Sequence, residues 1–569
     1  MKKGTYILMI ILIFFFLIIA TIFSFIYLEF GRPPAIRANS YLEITLQGEI
    51  RERFVPDFWT TFMGTEPLSM YDLWMNIQKA KRDPRIKCLL LRINRLSCDW
   101  AKIDELRETI LNFQESGKKV YAYLDEAHDF DKEYYLATAC NKIFFHPLGW
   151  LGINGLGGNI LFFKKALEKM GIEVESEHVE EYKTAYNMFT EEGFTPAHKE
   201  MVVSLYENIY LNYIKTLAEK RGKTEDEVKE LIDQGIFQGE EALEAGLVDG
   251  LLYEDEVEEF LQEKGKRLSK ITHEKYLKIN PSSLGLMKGR RIALIYGMGL
   301  IHSGESTSQT MGGTTLARWI KSARKDKSIA AIVFRVDSPG GSAIASDIIW
   351  REIKLAKKEK PVIVSMSDVA GSGGYWISMA AHKIVAQPLT LTGSIGVISG
   401  KLNMTKLYEK LGITSERLVY GKRADMYSTL RSLTPEERQL LKREIRWIYE
   451  KFLEKVSEGR NLPKEEVDRV GKGRVWTGQQ AKELGLVDEI GGLQRAIELA
   501  KELAGISKEE EVKFVVWPKK VSLFSLLLGK KSPDLVTSIN SRVKNIISTL
   551  QLIQKESRWA IMPFYILNR

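Results

Sequence analysis

The stretch IAAIVFRVDSPGGS at residues 329–342 is an apolar, β-branched run that ends in a glycine-rich turn. Its first part, at 329–336, and a second run at 362–366 have the composition of buried parallel strands. Residues 315–325 and 347–358 have the periodicity of helices. This alternation predicts an α/β fold built from β-α-β units. In such folds the loops that leave the strand ends form the functional site.

The second half of the chain repeats the first half at an offset of about 240 residues. Three pairs of blocks match in the same order: KRDPRI at 81–86 with RKDKSI at 324–329, NKI at 141–143 with HKI at 382–384, and GLVD at 246–249 with GLVD at 485–488. Ordered matches over this length indicate a duplicated domain rather than a solenoid. We therefore predict two tandem repeats, at residues 40–285 and 286–517.

An uncharged and almost wholly apolar segment at residues 4–28 precedes the repeats. It is long enough to cross a hydrocarbon core of about 30 Å as a helix. Lys2 and Lys3 precede it and Glu29 follows it, which predicts a cytoplasmic N-terminus and repeats on the outer side of the membrane. A cleaved signal peptide is the alternative, but the apolar run exceeds the usual about 7–15 residues and no small-x-small cleavage site follows. We predict a permanent transmembrane anchor within residues 1–30.

Two glycine-rich turns follow neighbouring predicted strands of the second repeat. In the first turn, the backbone N–H groups of Gly340 and Gly341 can face a ligand at a helix N-terminus and suit an oxyanion. The second turn places Ser372 between glycines at a strand-to-helix junction. This is the pattern of a nucleophile elbow, in which the N–H of the next residue, here Gly373, helps to hold the oxyanion. A lone Gly-Ser-Gly is usually a tight turn, but two such turns in one domain favour an active site.

The first repeat is an internal control for these turns. It has Ser97 and Cys98 opposite the glycine pair, and Asp131 opposite Ser372. A carboxylate cannot do the acyl chemistry of a serine, and side chains obstruct an oxyanion turn. If the glycines were needed only for folding, the first repeat would need them as well.

A serine nucleophile needs a base, and no Ser-His-Asp set is evident in the sequence. The candidate His382 matches Asn141 of the first repeat and is expected on a helix surface. A lysine whose pKa is lowered by burial is the remaining type of base, and composition does not select one of the many lysines. Three cysteines and no His-Glu-x-x-His pair make metal chemistry unexpected.

Three motifs together resemble the signal peptide peptidase A family: DSPGGS at 337–342, GSGGYW at 371–376 and LTGSIG at 391–396. The duplication and the N-terminal anchor resemble its long tandem form, and the resemblance extends to about residue 510. It implies two tandem Clp-protease- and crotonase-like domains, assembled as a homotetramer. It also implies a serine-lysine peptidase that cuts signal peptides and other apolar peptides in or near the membrane, without a metal or other cofactor.

The resemblance also implies roles for single residues. Ser372 matches the family nucleophile, and Ser394 matches the residue that orients the lysine amine. Lys183 matches the base, which the long form takes from its first repeat. In the short form the lysine lies at the position of Ala424. The second repeat therefore lacks this lysine and the first repeat supplies one, which implies one composite site.

An ungapped alignment of the two repeats leaves a rival assignment of the base open. Aligning Thr195-Pro196 with Thr434-Pro435 places Lys183 opposite Lys422. Lys422 and its neighbour Arg423 are therefore rival bases, although basic side chains are mostly exposed. Two other functions also remain: an acyl-thioester enzyme of the crotonase type and a non-catalytic membrane scaffold.

The net charge of +8 lies at the two ends of the chain. Residues 518–569 hold nine Lys or Arg and two acidic residues, so the repeats are nearly neutral and no nucleic-acid partner is expected. Apolar residues at helical spacing predict that this tail is a basic amphipathic helix. Such a helix contacts anionic lipid or packs on a neighbouring subunit.

Overall fold

The computed structural model describes residues 13–18, 21, 34–53, 68–125, 130–262, 267–307, 309–519 and 559–562. Most of the predicted anchor at 1–30 and of the predicted amphipathic tail at 518–569 therefore lies outside the described residues. Among the residues that are described, no helix is long and apolar enough to cross a membrane.

The first repeat is built around a parallel sheet with helices packed on it; β6 and β8 form a separate antiparallel pair. Its strands are β1 (Ser40–Arg51), β2 (Leu68–Ser69), β3 (Ile86–Ser97), β4 (Lys119–Leu124), β5 (Lys142–Phe145), β6 (Trp150–Gly152), β7 (Glu173–His178), β8 (Ile236–Gln238), β9 (Gly250–Leu251) and β10 (Ser269–Thr272). Its helices are α1 (Met70–Arg82), α2 (Trp100–Gln114), α3 (Asp131–Ala137), α4 (Lys164–Met170), α5 (Asn187–Thr190), α6 (Pro196–Arg221), α7 (Glu225–Gln234), α8 (Gly239–Glu244), α9 (Glu254–Phe260) and α10 (His273–Leu277).

The second repeat has the same architecture, preceded by a 3₁₀ turn at Pro281–Leu284. Its strands are β11 (Arg290–Met298), β12 (Leu300–His302), β13 (Thr310–Gly312), β14 (Ile329–Ser338), β15 (Gly340–Ser342), β16 (Val362–Gly371), β17 (Lys383–Ala386), β18 (Leu391–Gly393), β19 (Ile398–Asn403), β20 (Val475–Thr477), β21 (Glu489–Ile490) and β22 (Val512–Trp517), and β23 (Trp559–Ile561) follows in the tail. Its helices are α11 (Gly313–Lys325), α12 (Ala343–Lys357), α13 (Gly373–Ser378), α14 (Thr405–Lys410), α15 (Pro435–Arg460), α16 (Lys464–Val470), α17 (Gly478–Glu483) and α18 (Leu493–Leu503).

The two main sheets have the same strand order. It is β10-β1-β3-β4-β5-β9 in the first repeat and β22-β11-β14-β16-β17-β21 in the second, and every one of these pairs is parallel. Strand β18 also pairs with β16. The predicted α/β fold is confirmed. The predicted strands at 329–336 and 362–366 are longer in the structure, because each continues into its glycine-rich turn.

A smaller sheet joins the two repeats, with the order β13-β12-β15-β23-β19-β7. Strand β7 comes from the first repeat and pairs antiparallel with β19 of the second, from His178 opposite Ile398 to Glu173 opposite Asn403. Strand β23 lies between β15 and β19. This sheet brings the chain that follows β7 to the strand ends of the second repeat.

Apolar side chains also join the repeats. Trp74 and Met75 of α1 are buried in one cluster with Leu294 and Val333 of the second sheet and Ile497 of α18. Because burial of apolar surface contributes about 25 cal/mol per Å², this shared cluster stabilises the contact between the repeats.

Candidate active site

Ser372 is the single residue between the end of β16 and the start of α13. Its backbone has φ 56° and ψ −112°, a region that non-glycine residues rarely adopt. Two hydrogen bonds hold it: its N–H donates to Gly393 O at 2.8 Å, and its carbonyl accepts from Trp376 N–H at 2.8 Å. A serine in a strained strand-to-helix turn has the local geometry of a nucleophile elbow.

Lys183 reaches Ser372 from the other repeat. After β7, Val179 N–H donates to Val397 O at 3.0 Å, and Tyr182 N–H donates to Lys472 O at 3.2 Å. The Lys183 side chain is fully buried, and its Nζ lies 2.7 Å from Ser372 Oγ. Pairing of β7 with β19 therefore places a lysine of the first repeat against a serine of the second.

Ser394 completes the contacts of this amine. Its carbonyl oxygen and its Oγ each lie 2.9 Å from Lys183 Nζ. Ser394 has a positive φ of 49°, and its N–H donates to Arg474 O at 2.7 Å. The structure thus brings together Lys183, Ser372 and Ser394, the three residues that the resemblance selects.

Burial lowers the pKa of Lys183 well below its usual value. A neutral amine has two N–H groups and one lone pair. With both N–H groups donated to the two oxygens of Ser394, the lone pair faces the hydroxyl of Ser372. The site therefore has the geometry in which a lysine can accept a proton from a serine.

The glycine turn lies next to Ser372. Ser338 is paired with Ala370 in the register of β14 and β16, so the two turns leave the same edge of the sheet. Gly341 has φ 152°, and a Cβ built there would lie 2.0 Å from Ile301 O, so a side chain does not fit. Gly340 and Gly341 form part of β15, and Gly373 is the first residue of α13.

Two further glycines make room for Lys183: Gly396, the last residue of the LTGSIG motif, and Gly473, which lies outside the three motifs. A Cβ at Gly473, where φ is 82°, would lie 2.6 Å from Lys183 Cβ, and one at Gly396 would lie 3.0 Å from Lys183 Cδ. For Gly473, the Gly-Lys-Gly run at 471–473 was the available signal. No pattern in the sequence linked it to a lysine of the other repeat.

The rival bases lie elsewhere. Lys422, Arg423 and Ala424 are exposed on a turn before α15. In the first repeat, Asp131 is buried and accepts a hydrogen bond from Gly155 N–H at 3.0 Å. The lysine beside Ser372 is thus Lys183, not Lys422.

A short segment of the chain's own tail lies along the glycine turn. Strand β23 pairs antiparallel with β15, with Ile561 opposite Gly340 and Ala560 opposite Gly341. Met562 N–H donates to Pro339 O at 2.8 Å, and the Met562 side chain is buried. Its Sδ would lie 2.6 Å from a Cβ built at Gly371, the residue before Ser372. The edge of β15 beside Ser372 therefore pairs with an extended peptide backbone.

The family model for peptidase family S49 matches residues 112–268 and 354–507, one segment in each repeat. The chain belongs to peptidase family S49. This membership confirms the family suggested by the three motifs and supports a serine peptidase. The tandem match agrees with the duplication seen in the two sheets.

Curated relatives resemble the chain over most of its length. The chloroplastic serine protease SPPA of Arabidopsis thaliana is 38% identical over 91% of this chain and 76% of its own. Protease 4 of Salmonella typhi is 34% identical over 77% of this chain and 73% of its own. Among solved structures, a point mutant of ClpP1 from Listeria monocytogenes aligns with 36% of this chain and 94% of its own, at 16% identity and a TM-score of 0.25.

Proposed function

We propose that this S49 peptidase is a serine endopeptidase with a Ser372–Lys183 dyad. The observation that supports it most is the 2.7 Å contact between a fully buried lysine Nζ and the Oγ of a serine in a strained turn. Structural lysines are mostly exposed or paired with carboxylates, whereas the Nζ of Lys183 contacts the oxygens of two serines.

In the proposed reaction, neutral Lys183 accepts the proton of Ser372 while Oγ attacks a peptide carbonyl carbon. Backbone N–H groups of Gly373 and of the Gly340-Gly341 turn stabilise the oxyanion. The lysine ammonium then gives its proton to the leaving amine, and the C–N bond breaks. Water, deprotonated by the same lysine, hydrolyses the acyl-enzyme and returns the proton to Ser372. Ser394 holds the amine in place throughout, and the cycle uses no metal or other cofactor.

The proposed substrates are signal peptides and other apolar peptides. Strand β23 supports this, because it pairs antiparallel with β15 beside the glycine turn and is followed by the buried apolar side chain of Met562. Recognition by strand addition uses main-chain hydrogen bonds for affinity and pockets for alternate side chains.

The proposed location is the outer face of the cytoplasmic membrane. The apolar segment at 4–28 is the proposed single-pass anchor, and the basic tail at 518–569 is proposed to contact anionic lipid. We also propose the homotetramer that the family resemblance implies.

Single alanine variants test the dyad. We expect Ser372→Ala and Lys183→Ala to lose cleavage of a fluorogenic apolar peptide by at least about 10³-fold, because nucleophile and base act as one unit. Lys422→Ala is the matched control and should cleave like the unaltered chain. A fluorophosphonate probe should label Ser372 in the control but not in Ser372→Ala. Full activity in Lys183→Ala with loss in Lys422→Ala would overturn the assignment of the base.

A further inference from the structure

A second lysine of the first repeat contacts the two strands that lead into the active-site turns. Lys102, in the first turn of α2, is buried, and its Nζ lies 2.8 Å from Asp337 Oδ2 and 2.8 Å from Asp368 Oδ2. Both carboxylates belong to the second repeat. The proposed reaction makes no use of this cluster.

Asp368 also caps the helix that carries this lysine. The residue before α2, Asp99, makes no side-chain cap hydrogen bond of its own. Asp368 instead accepts from Asp99 N–H at 3.2 Å and from Lys102 N–H at 2.8 Å. A carboxylate at a helix N-terminus satisfies free N–H groups and interacts favourably with the helix dipole. The first repeat therefore binds Asp368 through both backbone and side chain.

The two carboxylates lie on the two strands that form the active site. Asp337 is the residue before Ser338 in β14, and β15 with its glycines begins two residues after Ser338. Asp368 lies in β16, which ends at the residue before Ser372. Asp337 also accepts from the Val369 N–H at 3.2 Å. Lys102 thus connects the end of β14, which leads to the glycine turn, to the end of β16, which leads to Ser372.

The second repeat has no lysine at the position that corresponds to Lys102. At the offset that aligns Asp83 with Asp326, α2 corresponds to α12 and Lys102 corresponds to Ala345. In the second repeat, α12 follows the glycine turn at the active site. In the first repeat, Ser97 and Cys98 replace those glycines, and the helix that follows holds a carboxylate of the second repeat. The strand end that lacks the glycines therefore contacts and supports the strand end that carries Ser372.

We propose that Lys102 is a positioning residue that holds the glycine turn and Ser372 in their relative places. This inference rests on the proposed serine peptidase function. Burial alone would lower the pKa of Lys102, but Asp337 and Asp368 raise it well above its usual value, so the side chain remains a cation. Without this cation, the buried carboxylate of Asp368 and the half-buried carboxylate of Asp337 face each other uncompensated, and the strand ends that hold them separate.

The test compares Lys102→Met with Lys79→Met in the full chain. Lys79 is a matched control, because it is also buried in the first repeat but donates to the carbonyl oxygens of Tyr276 and Ile279, away from the dyad. We expect Lys102→Met to lower kcat for a fluorogenic apolar tripeptide amide by about tenfold or more, with KM changed less than about twofold. Lys79→Met should keep kcat, whatever it does to thermal stability.

Binding of a peptide aldehyde separates positioning from a general loss of stability. The aldehyde forms a hemiacetal with Ser372, whose oxygen occupies the oxyanion position. Its inhibition constant should rise in Lys102→Met by the same factor as kcat/KM falls, because catalysis depends on transition-state binding. Lys102→Arg, which keeps the charge, should recover most of kcat. Wild-type kcat in Lys102→Met, or equal losses in Lys79→Met, would overturn the inference.

Two further outcomes are distinguishable. If Lys102→Met does not fold, Asp337→Asn replaces it, since that variant leaves Lys102 paired with Asp368; an unchanged kcat there would overturn the inference. If the unaltered chain cleaves no peptide, the proposed function fails, and the inference fails with it. If the unaltered chain is active and Lys102→Met is equally active, the proposed function stands and only the role of Lys102 is contradicted.

Discussion

At the scale of the residue, the amine of Lys183 is fully buried, and burial makes its charged form unfavourable. Its pKa is lowered by burial in the folded chain, whereas an unfolded lysine has a pKa of about 10.4. Between those two values the unfolded state binds one more proton, so stability rises with pH. We expect Lys183→Met to abolish cleavage and to raise the free energy of unfolding near pH 7, because the variant loses the cost of deprotonating a buried lysine.

The pH dependence of this gain in unfolding free energy shows whether it comes from removing a titratable amine or from better packing of the methionine side chain. The difference in unfolding free energy between Lys183→Met and the unaltered chain should shrink by about 1.4 kcal/mol for each pH unit towards pH 10. Lys422→Met, at an exposed position, should show no such trend. A difference that does not vary with pH would indicate that Lys183 has an ordinary pKa in the folded chain. The same titration predicts that kcat/KM falls at low pH, as the base becomes protonated.

At the scale of the element, strand β23 occupies backbone groups of β15 that an extended substrate would use. A tethered segment competes at an effective concentration on the order of millimolar. We expect removal of residues 559–569 to lower KM for an apolar peptide by at least about fivefold without lowering kcat. Truncation after Met562 is the matched control, because it keeps β23 and should leave KM unchanged. Equal KM values in the two truncated chains would contradict competition by this strand.

Elements also show what the sequence could and could not predict. Strands such as β14 and β16 were predictable, because buried parallel strands are continuous apolar runs bounded by glycine turns. Strand β7, with the sequence EVESEH, has no such pattern, since it pairs at a sheet edge with a strand of the other repeat. The position of Lys183 depends on that pairing. Residue patterns alone therefore indicated the nucleophile, while the lysine came only from family resemblance.

At the scale of the whole molecule, a buried arginine of the second repeat is paired with carboxylates of the first. Arg335 is 1% exposed; its Nε donates to Glu52 Oε2 at 2.7 Å, and its Nη2 donates to Glu105. Burial raises the pKa of Glu105 to about 7, so this carboxyl depends on the arginine for its charge near neutral pH. Together with the shared apolar cluster around Trp74, this network couples the two repeats, so we expect them to unfold as one cooperative unit.

That coupling predicts a large cost for Arg335→Ala. Removing one partner of a buried ion pair leaves uncompensated carboxylates and costs about 3–5 kcal/mol, whereas Arg417, which pairs with Asp425, is exposed, and surface pairs contribute little. We expect denaturant unfolding of Arg335→Ala to show this loss, and Arg417→Ala to match the unaltered chain. Calorimetry of the unaltered chain should give one transition for both repeats. Two separate transitions, with only the second repeat affected by Arg335→Ala, would mean that the repeats fold independently and that Lys183 can leave Ser372 without unfolding either repeat.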